Sequence, residues 1–191
     1  MPLNKKLIPT VLVSAVTLFG CSQKPSQMII APDVRTVSSN AFAGFSAKVS
    51  VEDLRTHLHI IEIKKEDKAS HLVSNANDFA TAIEQQLTQA LKSNQLQISP
   101  SNQQTFAVTI NQAYVKVAQS LSRYKANSRL TLTVQVKKGE STLTKTFNSK
   151  SSSEGLLAAD IAVLERDFNQ QLGNLISQIV GDVEIHQFVR S

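Results

Sequence analysis

Two alternating apolar runs near the middle of the chain restrict its fold more than any other feature. Phe106, Val108 and Ile110 recur in even phase, and Ala113, Val115 and Val117 in odd phase. Successive side chains on a strand point to opposite faces, so one regular strand cannot bury both sets on one side. The phase change predicts a bulge or break at Asn111 and Gln112. Leu130, Leu132, Val134 and Val136 then alternate cleanly, Lys138-Gly139-Glu140 turns the chain, and Leu143 and Phe147 mark a returning strand. Lys145 falls on the face of those two residues, a common way of blunting an exposed sheet edge. The centre of the chain reads as a meander.

Shorter elements flank it. Ala47, Val49 and Val51 alternate with Lys48, Ser50 and Glu52, and Leu58 to Ile63 reads as a second strand paired with this first one across Asp53-Leu54-Arg55-Thr56. Lys64 to Lys68 then reads as a solvated loop. Phe79, Ile83, Leu87, Ala90 and Leu91 change the period to that of an amphipathic helix, with Ser74, Asn75 and Asn77 as candidate caps and Asn94 as its stop. Leu96 to Ile98 returns to extended chain. Ser151 and Glu154 fit a capping box opening a long helix with Leu157, Ile161, Leu164, Phe168, Leu172, Leu175, Ile176 and Ile179 on one stripe, ending at Gly181. Its few charged flanks disfavour a coiled coil. Val183, Ile185 and Phe188 form an apolar tail that folds back. Strands, helix, strands, helix give an α+β class: an antiparallel or mixed sheet with two helices packed on one face.

The N-terminus has a different physics. Met1 to Lys6 is short and basic, and residues 7 to 20 are mostly apolar. Fourteen residues of helix span roughly 21 Å, short of the ~30 Å hydrocarbon core of a bilayer, so a cleaved signal fits better than a transmembrane anchor. Leu18-Phe19-Gly20 precedes Cys21, the only cysteine in the chain. A lone thiol exported to an oxidising compartment has no disulfide partner, which favours its modification. Leu18-Phe19-Gly20-Cys21 resembles a bacterial lipoprotein signal, which implies a signal peptide over 1–20 and lipidation at Cys21; a flexible tether then covers 21–41, with the apolar run Met28-Ile29-Ile30-Ala31 as an edge strand, and one domain covers 42–191. Removing Lys5 and Lys6 from the 20 basic residues leaves 18 against 15 acidic ones, a mild +3. The basic residues are dispersed, so nucleic acid is not an expected partner.

Chemistry is sparse. Nucleophile-elbow, dinucleotide, phosphate-loop and zinc-protease motifs are all missing from the sequence, and six glycines build no phosphate cradle. No cofactor and no catalytic residue is expected. Asp53, His57 and His59 share odd parity and would present a carboxylate and two imidazoles on one face of a continuous strand. A solvated sheet face or loop explains them as readily, and a structural zinc needs four ligands. Arg123-Tyr124, followed by Lys125 and Arg129, is the other candidate: a basic stretch with an aromatic suited to an acidic glycan or lipid headgroup, or simply a charged loop. Ser152 and Ser153 are explained by helix capping, and Asp160, Glu165 and Asp167 by the polar face of the long helix.

Several of these stretches together resemble the YajG-type lipoproteins of Gram-negative bacteria. They are Leu18-Phe19-Gly20-Cys21, Met28 to Pro32, Arg123-Tyr124 before the Thr-alternating strand, Glu154-Gly155 at the head of the long helix, and the ending Gln187-Phe188-Val189. Phe19 is bulkier than the residue commonest at that place in a lipoprotein signal. The resemblance implies acylation of Cys21, with palmitate among its chains, and, because Ser22 rather than Asp follows it, delivery to the outer membrane facing the periplasm. It brings no catalytic residues. The expected role is a non-enzymatic binding or adaptor module whose partner is an envelope protein or a cell-wall component. The alternative is an accessory or carrier of envelope transport that holds an amphiphile between sheet and helices.

Overall fold

The computed structural model describes residues 26–36 and 38–191. The elements are β1 (Gln27–Met28), β2 (Ser46–Asp53), β3 (His59–Lys65), β4 (His71–Asn75), α1 (Phe79–Ser93), β5 (Gln97–Ile98), β6 (Thr105–Gln119), β7 (Arg123–Lys138), β8 (Ser141–Leu156), α2 (Ile161–Val180) and α3 (Val183–Arg190). The strands form one curled mixed sheet of eight, and the fold is α+β.

The long strands β6, β7 and β8 make the antiparallel meander that the alternation predicts. Its register slips between Ile110 and Gln112, where Asn111 and Gln112 are both exposed, and the buried set moves from even to odd positions. The Thr133 hydroxyl donates to Asn111 Oδ1 at 2.7 Å and holds the bulge. Gly139 takes a left-handed φ of 57° in the β7–β8 turn, which glycine adopts without a Cβ clash.

The expected β2–β3 hairpin does not form. Both strands run parallel to β6 and lie end to end along its free edge, Val49 beside Phe106 and Ile63 beside Val117. The bulge explains this arrangement: each half of β6 buries a different phase, and two separate short strands match one phase each. Outside them, β5 extends the sheet beside β2, while β4 and then β1 extend it beside β3. Lys64 and Lys65 belong to β3, so only the residues after them turn.

The long helix also starts later than its capping-box pattern predicts. Residues 151 to 156 complete β8, because β7 offers a pairing edge down to Arg123, which faces Leu156. Ser151 and Glu154 lie opposite Ser128 and Lys125, and α2 is capped instead by Asp160, whose carboxylate accepts from the Ala162 N–H at 2.9 Å. Leu157 sits off the helix stripe with a left-handed φ of 64°. The cap of α1 is Asp78, accepting from Thr81 N–H at 2.7 Å, rather than Ser74, Asn75 or Asn77. Asn94 ends α1 as expected. The apolar tail folds back as a third, short helix, α3, with Ile185 and Val189 buried.

The core lies between the concave sheet face and the helices. Phe42, Phe79, Phe106 and Phe168 are among its largest buried side chains, and Phe79 and Phe168 bring α1 and α2 together with ring centroids 6.2 Å apart. Buried Gln171 of α2 donates to Ser149 Oγ at 3.0 Å and accepts from Ser128, which joins α2 to β7 and β8.

The described part of the stretch expected as a tether is packed on this body. β1 pairs in parallel with β4, and Met28 and Ile30 are buried. Two asparagine side chains then grip the extended chain from either side. Asn77 exchanges both bonds with Ile30, at 2.9 and 2.8 Å, while Asn169 of α2 accepts from Ala31 N–H at 2.9 Å and donates to Ile29 C=O at 2.8 Å. Each amide copies what a neighbouring strand would offer. Further on, this strap crosses α2 at Gly173, where a Cβ would overlap the Asp33 carbonyl.

Candidate functional site

Cys21 lies outside the described residues. The remaining sequence candidates fall at two places on the sheet.

Arg123 and Tyr124 stand at the start of β7, just after the tight β6–β7 turn, in which Ser120 N–H donates to the Arg123 carbonyl at 2.9 Å. They line a cleft of about 430 Å³ together with Lys64, Glu66, Lys125 and Glu154. Tyr124 is half-buried against the edge of the core, and its ring lies over Gly155 on β8, where a Cβ would come within 2.8 Å of Cζ. This cross-strand contact is why a glycine stands there, and it corrects the placement of Glu154-Gly155 at a helix start. Lys125 pairs with Glu154 at 3.1 Å across the same two strands; both are exposed. Such a pair contributes little to stability, roughly 0–1 kcal/mol, and leaves a mixed but basic rim.

Asp53, His57 and His59 do not share one strand. β2 ends at Asp53 and β3 begins at His59, so the intervening irregular chain cancels the parity that would have aligned them. The Asp53 carboxylate is held by Arg55, with Nε to Oδ1 at 2.9 Å and Nη2 to Oδ2 at 2.8 Å. The buried Arg55 guanidinium also stacks 4.3 Å from the centre of the Phe79 ring. This fork-like ion pair locks the end of β2 onto α1. The two imidazoles remain together, stacked with centroids 5.4 Å apart, beside a cleft of about 580 Å³ that Glu62 and Lys116 also line. Among the described residues no group of three or more His, Cys, Asp or Glu side chains is placed to hold a metal.

A third polar cluster escaped the sequence reading. Lys145 on β8 contacts the Asp182 carboxylate at 2.9 and 2.8 Å and Glu184 at 2.7 Å, so the inward lysine fastens α3 to the sheet edge. The Asp182 and Glu184 hydrogen bonds raise the Lys145 pKa. Burial pushes the Asp182 carboxyl upward, but the bonds from Lys145 and from Ile185 N–H outweigh it, and the net shift is downward. Asp182 also caps α3.

Between α2 and the sheet, the space beside Ser128, Phe168 and Gln171 measures about 30 Å³, room for about one water. The two clefts described above are larger and open to the surface.

Against known proteins, a family model described as "Uncharacterized lipoprotein" matches residues 32–190. The chain belongs to this YajG-type lipoprotein family. It is similar to the uncharacterized lipoprotein YajG of Escherichia coli (strain K12), 21% identical over 192 residues, covering 98% of this chain and 97% of that one. The solved structure of protein XCC0632 from Xanthomonas campestris superposes with a TM-score of 0.58 at 16% identity, covering 86% of this chain and 99% of that chain, which shows a shared fold. The family match spans the strap after Ala31, the clefts and all three helices.

Proposed function

We propose that this lipoprotein is acylated at Cys21, faces the periplasm from the outer membrane, and works there without catalysis as a surface binding or adaptor module. The observation that carries the reading is the strap. Membership of a lipoprotein family supports an acyl anchor, and Cys21 lies only six residues before the docked β1, so the anchor and the folded body are held close together. Among the described residues no helix is long and apolar enough to cross a membrane. The absence of catalytic sequence motifs and the commitment of Asp53 to Arg55 favour binding over chemistry.

A carrier that encloses an amphiphile would need a pocket of several hundred Å³. The space of about 30 Å³ beneath α2 favours recognition at the surface instead. The anchor is tested by globomycin, which should leave a larger, uncleaved precursor; unchanged size refutes it. Membrane assignment follows from density-gradient fractionation. For the partner, photo-crosslinking in intact cells from Leu58 and Leu72, exposed beside the larger cleft, should capture one envelope protein or cell-wall fragment reproducibly. Failure from both positions counts against a binding role.

A further inference from the structure

Three exposed leucines gather at one end of the sheet. Leu121 in the β6–β7 turn is 100% exposed, and Leu156 and Leu157 at the end of β8 are 84% and 70% exposed. They are neighbours: Leu156 lies opposite Arg123, and Leu157 N–H donates to the Ser122 carbonyl at 2.9 Å. Backbone pairing fixes their position, so the exposure belongs to the fold. Next to them, the cleft is lined by Arg123, Lys64 and Tyr124, with Glu66 and with Lys125, which is paired to Glu154. Large apolar side chains beside a rim with a basic excess and an aromatic match the chemistry of a phospholipid headgroup layer.

The path of the chain says what covers them. β1 runs parallel to β4, with Gln27 beside Ser74, so the chain before Gln27 arrives from the side of His71. His71 lies beside Ile63, and Lys65 beside Gln119, which places that side at the leucine end of the sheet. From the level of Gln27 to that of Gln119 is about 17 Å, five residues at ~3.3 Å each. From Cys21 to Gln27, six residues of extended chain reach at most about 20 Å. An acyl group on Cys21 and the three leucines can therefore meet the same lipid surface.

We propose that this end of the sheet is a membrane-contact surface, in which Leu121, Leu156 and Leu157 enter the headgroup layer of the leaflet that holds the acyl chains while Arg123 and Lys64 face lipid phosphates. The inference rests on the anchor reading above and names what the Arg123–Tyr124 region meets. One acyl attachment leaves a body free to pivot; a second contact fixes its orientation.

The test uses a fluorophore on Leu121→Cys, compared with one on Glu140→Cys in the turn at the far end of the meander. Vesicles are phosphatidylethanolamine and phosphatidylglycerol, 3:1, with doxyl-labelled lipids as quenchers. Protein made and acylated in cells should float with the vesicles and show several-fold stronger quenching at position 121 than at 140. A chain starting at Ser22 keeps every packed residue of the described core and has no anchor; at high vesicle concentration its 121 label should respond alone. With the label kept at 121, L156S/L157S should weaken that binding about tenfold or more. Both sites are exposed, so folding is retained. Failure of the cell-made protein to float refutes the anchor reading alone, whereas equal, weak quenching at both labels overturns the membrane contact. Protection of the 121 label that grows with protein concentration without vesicles would assign the patch to a second copy and equally overturn it.

Discussion

Replacing Gly173 with alanine should destabilise this protein, although the same change in a helix interior ordinarily stabilises. Alanine is favoured over glycine within a helix by about 1 kcal/mol. At Gly173 the added methyl would overlap the Asp33 carbonyl oxygen and lie 2.8 Å from the carbonyl carbon, so it meets backbone that cannot rotate away. The strap has two responses. It can shift locally, an overpacking cost of about 1–3 kcal/mol. Or it can peel away, which exposes Met28 and Ile30 at about 1.5–3 kcal/mol each and breaks the Asn77 and Asn169 bonds at about 0.5–1.5 kcal/mol apiece. The local shift costs less. Offset by the helix gain, the net loss is about 1 kcal/mol, and Tm should fall by roughly 2–4 °C. Hydrogen exchange should accelerate at Ile29 to Ala31 and stay unchanged in β7. A Tm that rises, with strap exchange unaltered, would refute the claim that this crossing is tight.

Three further outcomes follow from other contacts. Gly155→Ala should cost less than Gly173→Ala because its obstacle, the Tyr124 ring, can swing aside; equal Tm losses would contradict this. Asn77→Ala should lower stability by about 1–3 kcal/mol, since it strands the N–H and C=O of buried Ile30, while Asn169→Ala, whose partners Ile29 and Ala31 are exposed to water, should cost less; urea midpoints decide the order. Asp182→Asn keeps the α3 cap but removes the ion pair with Lys145. The depressed Asp182 pKa gives a contribution present above its unfolded value, near 3.9, and lost as pH falls through the folded one, so wild type should lose stability below about pH 4 more steeply than the variant. The raised Lys145 pKa acts at the opposite limit, its contribution holding below about 10.4 and fading as pH rises through the folded value. Parallel urea midpoints for the two proteins from pH 7 to pH 3 would contradict the acid prediction.

What could be read from the sequence was local. Alternation reports which face of a strand is buried, so the bulge at Asn111 and Gln112 was legible from the phase change alone. Alternation does not report neighbours, and β2 and β3 pair with successive stretches of one edge of β6 instead of with one another. The Ser151–Glu154 pattern fits a helix start, yet the unpaired half of β7 outweighs it once the meander is assembled. Arg123 and Tyr124 were legible as a basic, aromatic stretch, and the structure places both on one cleft. Leu121, Leu156 and Leu157 were not, because exposure of an apolar side chain is a property of the assembled surface. Asp53 and the two histidines failed as a set for a related reason: residue parity counts only within a continuous strand, and Arg55 claims the carboxylate.

The direction of β1 also decides how the body answers force. A pull from the leucine end acts along the strand axis, so the Ser26–Ser74 and Met28–Ala76 backbone bonds and the two asparagine grips bear load side by side. Strands loaded in that geometry slide, which requires many bonds to break together, whereas strands pulled apart crosswise open one bond at a time. A body fastened this way resists being dragged off its own leash, and the lowest-force route to releasing it is a sideways peel starting at Ser26.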